Sequence, residues 1–360
     1  MPQLWQRAAR SAGLAVRRAT ARSGRRLACG PARALGLAAA AALVCLAAGP
    51  AGGPARAQEG AWSVATSMPV PRQESGMVAV GNRIYVVGGY GAEPIPDTRA
   101  LVYDADANSW SEIAPVPEAL HHPAAAAVDG KIYLVGGFLN AFGQRAPVTS
   151  VWMYDPARDQ WEARAPLPAP RGALAVAVLD GRIYALGGER YGTGGGAPGY
   201  VPVDDATVYD PRTDAWETLP PLRFRRDHLV AGAINGRVYA VGGRDRPIYD
   251  IPVVEEYDPA ARTWSLRAPM PTGRSGCVAA VLDGRLYVFG GEGNPDSPYG
   301  TYDEVEAYDP AQDAWTRFPR MPIPRHATGA VALGHRIYLP GGSLRQGSGV
   351  TALMDAFDPG

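Results

Sequence analysis

The chain has 360 residues, 46% of them hydrophobic and 19% charged, with 44 glycines, 34 prolines and 3 cysteines. Its 35 basic and 35 acidic residues cancel overall, but residues 1–57 hold nine arginines and no acid, so the remainder carries 26 against 35, a net of about −9. That balance argues against nucleic acid, which asks for a basic patch. With Cys29 and Cys45 in the first 57 residues, Cys277 stands alone beyond them and no intramolecular disulfide is open to it.

The first element in chain order is an export segment. Arginines 7, 10, 17, 18, 22, 25, 26 and 33 precede or enter an apolar stretch, ALGLAAAAALVCLAA from Ala34 to Ala48, and Ala55-Arg56-Ala57 follows it. A basic start, an apolar middle of roughly 15 residues and a small-x-small end make a secretory signal. A membrane span wants about 20 apolar residues, so no stable insertion is expected after cleavage near Ala57. Arg25-Arg26 resembles a twin-arginine signal, and the choice between that route and general secretion stays open. Cys45 makes a poor lipoprotein site, because Ala42-Leu43-Val44 lacks the small residue normally found just before the cysteine. The expected product is a periplasmic or secreted protein of residues 58–360.

From residue 62 a repeat takes over. Trp62, Trp110, Trp161, Trp216, Trp264 and Trp315 each stand 26 residues before a glycine pair, which opens with Gly88, Gly136, Gly187, Gly242, Gly290 and Gly341. Each pair ends an apolar run with a central tyrosine, such as RIYVVGG or RLYVFGG, and each run follows a turn signal such as Asp129-Gly130 or Asn235-Gly236. Asn-Gly and Asp-Gly supply the positive φ of a tight hairpin, so this run and the apolar run before the turn pair as antiparallel strands. Tyr-Asp then leads, seven residues on, to the next tryptophan, as in YDPARDQW; this predicts a third strand, a turn and a fourth strand.

Four strands per unit in six units are too many for one flat sheet without curling or splitting. Radial blades solve the problem, since a propeller leaves only short edges. The residues involved, an apolar run, Gly-Gly, Tyr-Asp-Pro and Trp, resemble the kelch repeat over residues 60–360. The expected fold is therefore all-β: a six-bladed β-propeller of kelch repeats with four antiparallel strands per blade. The last unit stops at Phe357-Asp358-Pro359-Gly360 without a tryptophan strand, whereas Trp62 precedes any complete unit. The segment of about residues 61–69 is thus predicted to close the ring as the outer strand of the C-terminal blade.

The tryptophan-to-glycine interval never varies, whereas the gap from the second glycine to the third-strand aromatic runs 14, 17, 21, 14, 17 and 15. Variable loops on one rim of a rigid scaffold are where ligand contacts usually sit. Arginines 72, 171, 226, 274 and 325, each ten residues after a tryptophan, share that rim, with Leu120 in the second unit. They either hold an anion at a pore mouth or, as their recurrence favours, pair with neighbouring carbonyls and acids. The tryptophans and the second-strand tyrosines are assigned to packing between blades.

In peptide-binding kelch propellers the pocket is lined just after the glycine pair and just after the linker arginine. The resemblance implies Tyr90, Phe138, Glu189, Arg244, Glu292 and Ser343 for the first set. For the second it implies Gln73, Glu74, His121, His122, Asp227, His228, Ser275 and His326. Histidines of the second, fourth and sixth units would converge at the axis, but their spacing contains no compact ligand motif, so neither metal nor other cofactor is expected. GTGGGAPG from Gly192 to Gly199 reads as a flexible loop rather than a phosphate cradle, because no helix and no Lys-Ser/Thr follow. Asn294, Asp296, Asp303 and Glu304 read as solvated loop residues rather than a calcium site. Phe142, Tyr191, Tyr200, Tyr249 and Tyr299 offer rings for stacking on a sugar or gripping a peptide.

Three functional classes follow. The expected one is a monomeric, exported, non-catalytic module that binds a protein or a glycan through the variable rim. The second resembles the exported kelch sialic acid mutarotase, with Glu74, Glu189 or Glu292 as base beside Arg244 and His228. The third, a copper oxidase like galactose oxidase, asks for a seventh blade, an added domain and a cysteine-linked tyrosine, and this chain has only Cys277, in a strand context.

Overall fold

The computed structural model describes residues 59–360 except 94, 142, 143, 195 and 196. The predicted export segment, residues 1–57, lies outside them. Among the described residues there is no helix, and the main sheets are six four-stranded antiparallel blades. Blade one is Gly76–Val80, Arg83–Val87, Ala100–Asp104 and Ser109–Glu112, hydrogen-bonded in chain order. Blades two to five open at Ala124–Val128, Ala175–Leu179, Val230–Ile234 and Val278–Leu282. The sixth takes Val331–Leu333, Arg336–Pro340 and Met354–Asp358 from the C-terminus and Ala61–Ala65 from the start of the repeat region. The predicted ring closure is thus present, with Trp62 opposite Phe357.

The repeated frame ties strands within each blade and also ties each blade to the one before it. Tyr103, Tyr154, Tyr209, Tyr257 and Tyr308 stand directly across from the tryptophan seven residues later. Each indole Nε1 donates to a carbonyl in the preceding blade or its exit segment: Trp110 to Thr66, Trp161 to Ala114, Trp216 to Ala165, Trp264 to Pro220, Trp315 to Ala268 and Trp62 to Pro319. An indole suits this place because its body packs against apolar neighbours while its N–H reaches a partner.

The first glycine of each pair is required by approach as well as by φ. At Gly290 (φ 55°) a Cβ would lie 2.2 Å from the Arg325 carbonyl oxygen of the next blade, and at Gly136 one would lie 2.4 Å from that of Arg171. The second glycine donates its N–H to the same carbonyl, as Gly342 does to Arg72 at 2.7 Å, which closes the ring. The linker arginines 72, 171, 226, 274 and 325 are fully buried, and Leu120 fills the equivalent place in blade two. Arg226 pairs with Glu255 at 2.9 Å, Arg274 with Glu306 at 2.6 Å and Arg325 with Asp355 at 2.6 Å. Each of these guanidiniums is tied into the blade its linker enters, while its backbone carbonyl holds the glycine pair of the blade before.

Three of the variable loops form two-stranded ribbons: Phe138–Ala141 with Gln144–Pro147, Glu189–Gly194 with Ala197–Pro202, and Ser343–Arg345 with Ser348–Val350. The glycine-rich segment expected to be a flexible loop is therefore a paired hairpin, with Tyr191 opposite Tyr200 and Gly192 opposite Gly199. Its base is fixed by ion pairs of Glu189 with Arg145 and of Arg190 with Asp205, both at 3.0 Å. Cys277 is buried just ahead of the innermost strand of blade five, and burial pushes its thiol up to about 11.

Candidate functional site

The site begins with a backbone device. Two residues after each linker position the chain adopts positive φ: Glu74 (54°), His122 (53°), Ala173 (53°), His228 (52°), Gly276 (59°) and Ala327 (55°). Five of the six are not glycine, and left-handed backbone costs an ordinary residue about 1–2 kcal/mol. The conformation turns each N–H toward the carbonyl of the equivalent residue one blade back. His122 donates to Glu74, Ala173 to His122, His228 to Ala173, Gly276 to His228, Ala327 to Gly276 and Glu74 to Ala327, at 2.8–3.4 Å. Six backbone hydrogen bonds thus form a closed belt around the axis, and the belt side chains line the channel entrance.

One residue earlier, the chain bridges to the position after the glycine pair. Gln73 pairs with Tyr90, His121 with Phe138, Gly172 with Glu189, Asp227 with Arg244, Ser275 with Glu292 and His326 with Ser343. Five of these six antiparallel bridges join a residue of one predicted set to a residue of the other, while Glu74, His122 and His228 of the second set stand on the belt instead. Blade three has glycine at this position because the ring of Phe138 fills the space, 2.1 Å from where a Cβ of Gly172 would lie.

Above the belt opens a polar funnel of about 280 Å³. Of the residues predicted after the glycine pair and the linker position it takes in Gln73, Glu74, Tyr90, His122, His228, Arg244, Glu292 and His326. Phe138, Glu189, Asp227, Ser343 and His121 are buried behind that wall. Below the belt the innermost strands line the channel with small apolar residues such as Ala125, Val176, Ala231 and Ala279. Small side chains are needed where six strands converge on one axis.

Arg244 organises the polar wall. Its Nε donates to Asp227 Oδ1 at 2.7 Å, its Nη1 makes a close ion pair with Glu292, and its guanidinium lies 5.3 Å from the ring centre of Tyr249. Burial works against its charge, but Asp227, Glu292 and Glu189 outweigh that and hold its pKa above the ordinary value. Asp227 also accepts from His228 Nδ1 at 2.5 Å. His326 is anchored differently: its Nε2 is 2.9 Å from the Arg345 carbonyl and its Nδ1 3.8 Å from Glu292, so it does not join His122 and His228. The third member of that group is Glu74, whose Oε2 is 3.2 Å from His122 Nε2.

Burial lowers the pKa of His122 and, together with the charge of His122, takes His121 down to about 3. Burial raises the Glu74 carboxyl, yet the imidazoles of His122, His228 and His326 outweigh it and leave it well below the usual range. Burial raises Tyr90 to about 12. The chemistry on offer is an anionic carboxylate among imidazoles beside a fixed guanidinium.

Arg145, Arg246 and Gln346 are parts of this region that the repeat did not mark. Arg246 and Gln346 line the funnel, while Arg145 stacks over Tyr200 and Phe138 at 4.4 and 5.0 Å and pairs with Glu189. All three sit on the loops of variable length, where no register points to them; only their place on that rim could have drawn attention. Of the predicted loop aromatics, Tyr191 and Tyr299 are exposed, Tyr249 lines the funnel, Tyr200 is held under Arg145, and Phe142 lies outside the described residues. Asp303 and Glu304 pair with Arg320 at 2.6 and 3.2 Å and do not gather with Asn294 and Asp296.

The family described as the KLHDC2/KLHL20/DRC7 Kelch-repeats domain matches residues 57–243, and the Kelch motif matches 225–271 and 273–322. Kelch-like protein terF of Aspergillus terreus is 32% identical over 226 residues, covering 62% of this chain and 48% of its own length. Kelch-like protein 22 of Homo sapiens is 39% identical over 93 residues, covering 26% and 13% respectively. The chain thus spans about half or less of the length of these relatives. The solved structure of YjhT aligns with a TM-score of 0.68 at 17% identity, covering 82% of this chain and 96% of that one, which is a likeness of fold. With more than half its length matched by a kelch domain and all six blades in register, the chain belongs to the kelch-repeat family of β-propellers.

Proposed function

We propose that this propeller is a binding module that takes a segment of a partner protein across its loop rim, with a polar group of that segment seated in the funnel. The observation that carries this reading is the gathering of exposed apolar side chains on one rim. Ile95, Tyr191, Ile248 and Tyr299, between 53 and 67% exposed, all stand on loops joining second and third strands, and Phe224 stands on a linker of the same rim, whereas the other two large exposed apolar side chains, Val64 and Leu266, stand singly on outer strands. Aromatic and aliphatic anchors around a polar centre suit a protein interface. The proposal includes export with cleavage near Ala57, checked by the N-terminal sequence of the mature protein, and action as a monomer.

The test has two steps. A partner captured by the mature protein is identified, and its affinity is then measured by calorimetry against the double variant Tyr191→Ser with Tyr299→Ser. Both side chains are exposed, so the fold should survive, and binding should weaken at least about tenfold if they are anchors. Unchanged affinity would defeat the reading. A second reading, a sugar mutarotase, draws on the Glu74–His122 contact at the base of a cavity that suits one small ring. Turnover of a free sugar that disappears with Glu292→Gln or Glu74→Gln would favour it over the first.

A further inference from the structure

The belt brings together three side chains that can each offer one ligand atom to an ion. Glu74, His122 and His228 come from blades one, two and four, and one ligand atom of each lies within 4.8 Å of the others. Their side chains are 18, 10 and 7% exposed, so the group is shielded yet opens into the funnel.

With the imidazoles neutral, one arrangement of protons satisfies the hydrogen bonds behind them. Asn140 Oδ1 lies 3.1 Å from His121 Nε2 and accepts its N–H, which makes His121 Nδ1 an acceptor. That atom is 2.6 Å from His122 Nδ1, so His122 Nδ1 is the donor and His122 Nε2 keeps a lone pair. His228 Nδ1 donates to Asp227, which leaves its Nε2 as acceptor, and Arg244 Nη2 at 3.3 Å approaches that lone pair. His122 Nε2 and the Glu74 carboxylate are then two acceptors facing each other across 3.2 Å. A cation between them relieves that opposition.

We propose that Glu74, His122 and His228 form a binding site for one first-row divalent transition-metal ion of the zinc or iron(II) class, with its open coordination positions turned toward the funnel. The donor set of two neutral imidazoles and one carboxylate is the type such ions take. The 3.2 Å separation of His122 Nε2 and Glu74 Oε2 is near the ~3.3 Å edge expected for tetrahedral ligands about 2.0–2.1 Å from an ion. Asp227 behind His228, and His121 with Asn140 behind His122, supply the outer hydrogen bonds that orient ligating imidazoles. Arg244 is the opposing charge nearest the site; its Nη2 yields the His228 Nε2 lone pair to the ion, while Asp227 and Glu292 keep its charge offset. This site replaces the three-histidine convergence weighed from the sequence, because Glu74 stands where His326 would be needed.

The test uses the untagged full chain, stripped with a chelator and titrated with Co²⁺ by visible absorption and with Zn²⁺ by calorimetry. One ion per chain is expected, with binding weakened at least tenfold in Glu74→Gln and in His228→Ala and unchanged in His335→Ala on the opposite face. Alanine already occupies the same left-handed position as Ala173 and Ala327, so His228→Ala keeps the belt geometry; a thermal melt of the stripped protein checks this. Absence of a saturable site in the parent chain, or retention of binding in the Glu74→Gln/His228→Ala double variant, would overturn the proposal. The variant Tyr191→Ser with Tyr299→Ser should bind the metal normally, so failure at the rim and failure at the belt are separate outcomes.

Discussion

At the residue scale, the recurring glycines differ in what they are for, although all have positive φ. Gly290 and Gly284 belong to the same blade, with φ of 55° and 73°. At Gly290 a methyl group would meet the Arg325 carbonyl oxygen at 2.2 Å, while nothing lies within 4 Å of the corresponding point at Gly284. Gly284→Ala should therefore cost only the conformational penalty of about 1 kcal/mol, whereas Gly290→Ala adds a forced shift between blades and should cost about 2–4 kcal/mol. Urea unfolding of the two variants measures the difference, and equal losses would contradict it. In the sequence the glycine pair was legible in all six units and the turn glycine in four of them, Asn82 and His335 taking its place in the first and sixth. The neighbouring carbonyl that separates their roles comes from the next blade.

At the element scale, the turn between third and fourth strands acts as a latch. Tyr154 donates its hydroxyl to Asp159 Oδ1 at 2.7 Å, and the same oxygen accepts the Ala114 N–H of the preceding blade at 2.8 Å. Those bonds, the backbone one first, hold the Asp159 carboxyl below its ordinary pKa. A depressed carboxylate contributes stability that is present above its unfolded pKa of about 3.9 and is lost as pH falls through the lower folded value. Asn108 occupies the equivalent place in blade one and accepts from Tyr103 at 2.7 Å, so Asp159→Asn should fold normally. The exposed carboxylate is screened by solvent, so the cost at pH 7 should stay under about 1 kcal/mol, and it should vanish in acid, once the pH is below the lowered folded value. Chemical denaturation at both pH values reads it, and a deficit that persists in acid would refute the latch as an ionic one. Tyrosine seven before tryptophan was visible in the sequence as a hairpin. That the turn also grips the blade before it was not, since Ala114 carries no side-chain mark of its role.

At the scale of the whole molecule, closure makes the ring one cooperative body. Ala61–Ala65 pairs along Met354–Asp358, Trp62 lies 5.0 Å from Phe357 and 6.0 Å from Phe289, and its indole reaches the Pro319 carbonyl of blade five's exit. Deleting Trp62 to Met68 exposes that sheet edge and removes the indole ties of Trp62 to Pro319 and of Trp110 to Thr66 between neighbouring blades, and should lower the melting temperature by at least about 5 °C in calorimetry. An unchanged melting temperature would mean that the ring does not depend on this strand. The closure was legible because the final repeat lacks a tryptophan strand and the first tryptophan precedes any complete unit.

The sequence by itself determined the number of blades, the register of their strands, the closing segment and the rim that varies. Each of these is written in local spacing, and a repeat states the same local rule six times. Only the tertiary structure decided which rim residues face the axis. Glu74 is the one acidic residue between Trp62 and Gly88, with nothing nearby in sequence to pair it with a histidine. It meets His122 and His228, 48 and 154 residues away, because left-handed backbone at equivalent positions turns separate blades toward one axis. His326, equally promising by spacing, sits one position earlier in its bridge and is drawn instead to Arg345 and Glu292. A shift of one residue across the rim moves a side chain from the belt to the wall behind it, and that is set by backbone geometry that residue type alone does not encode.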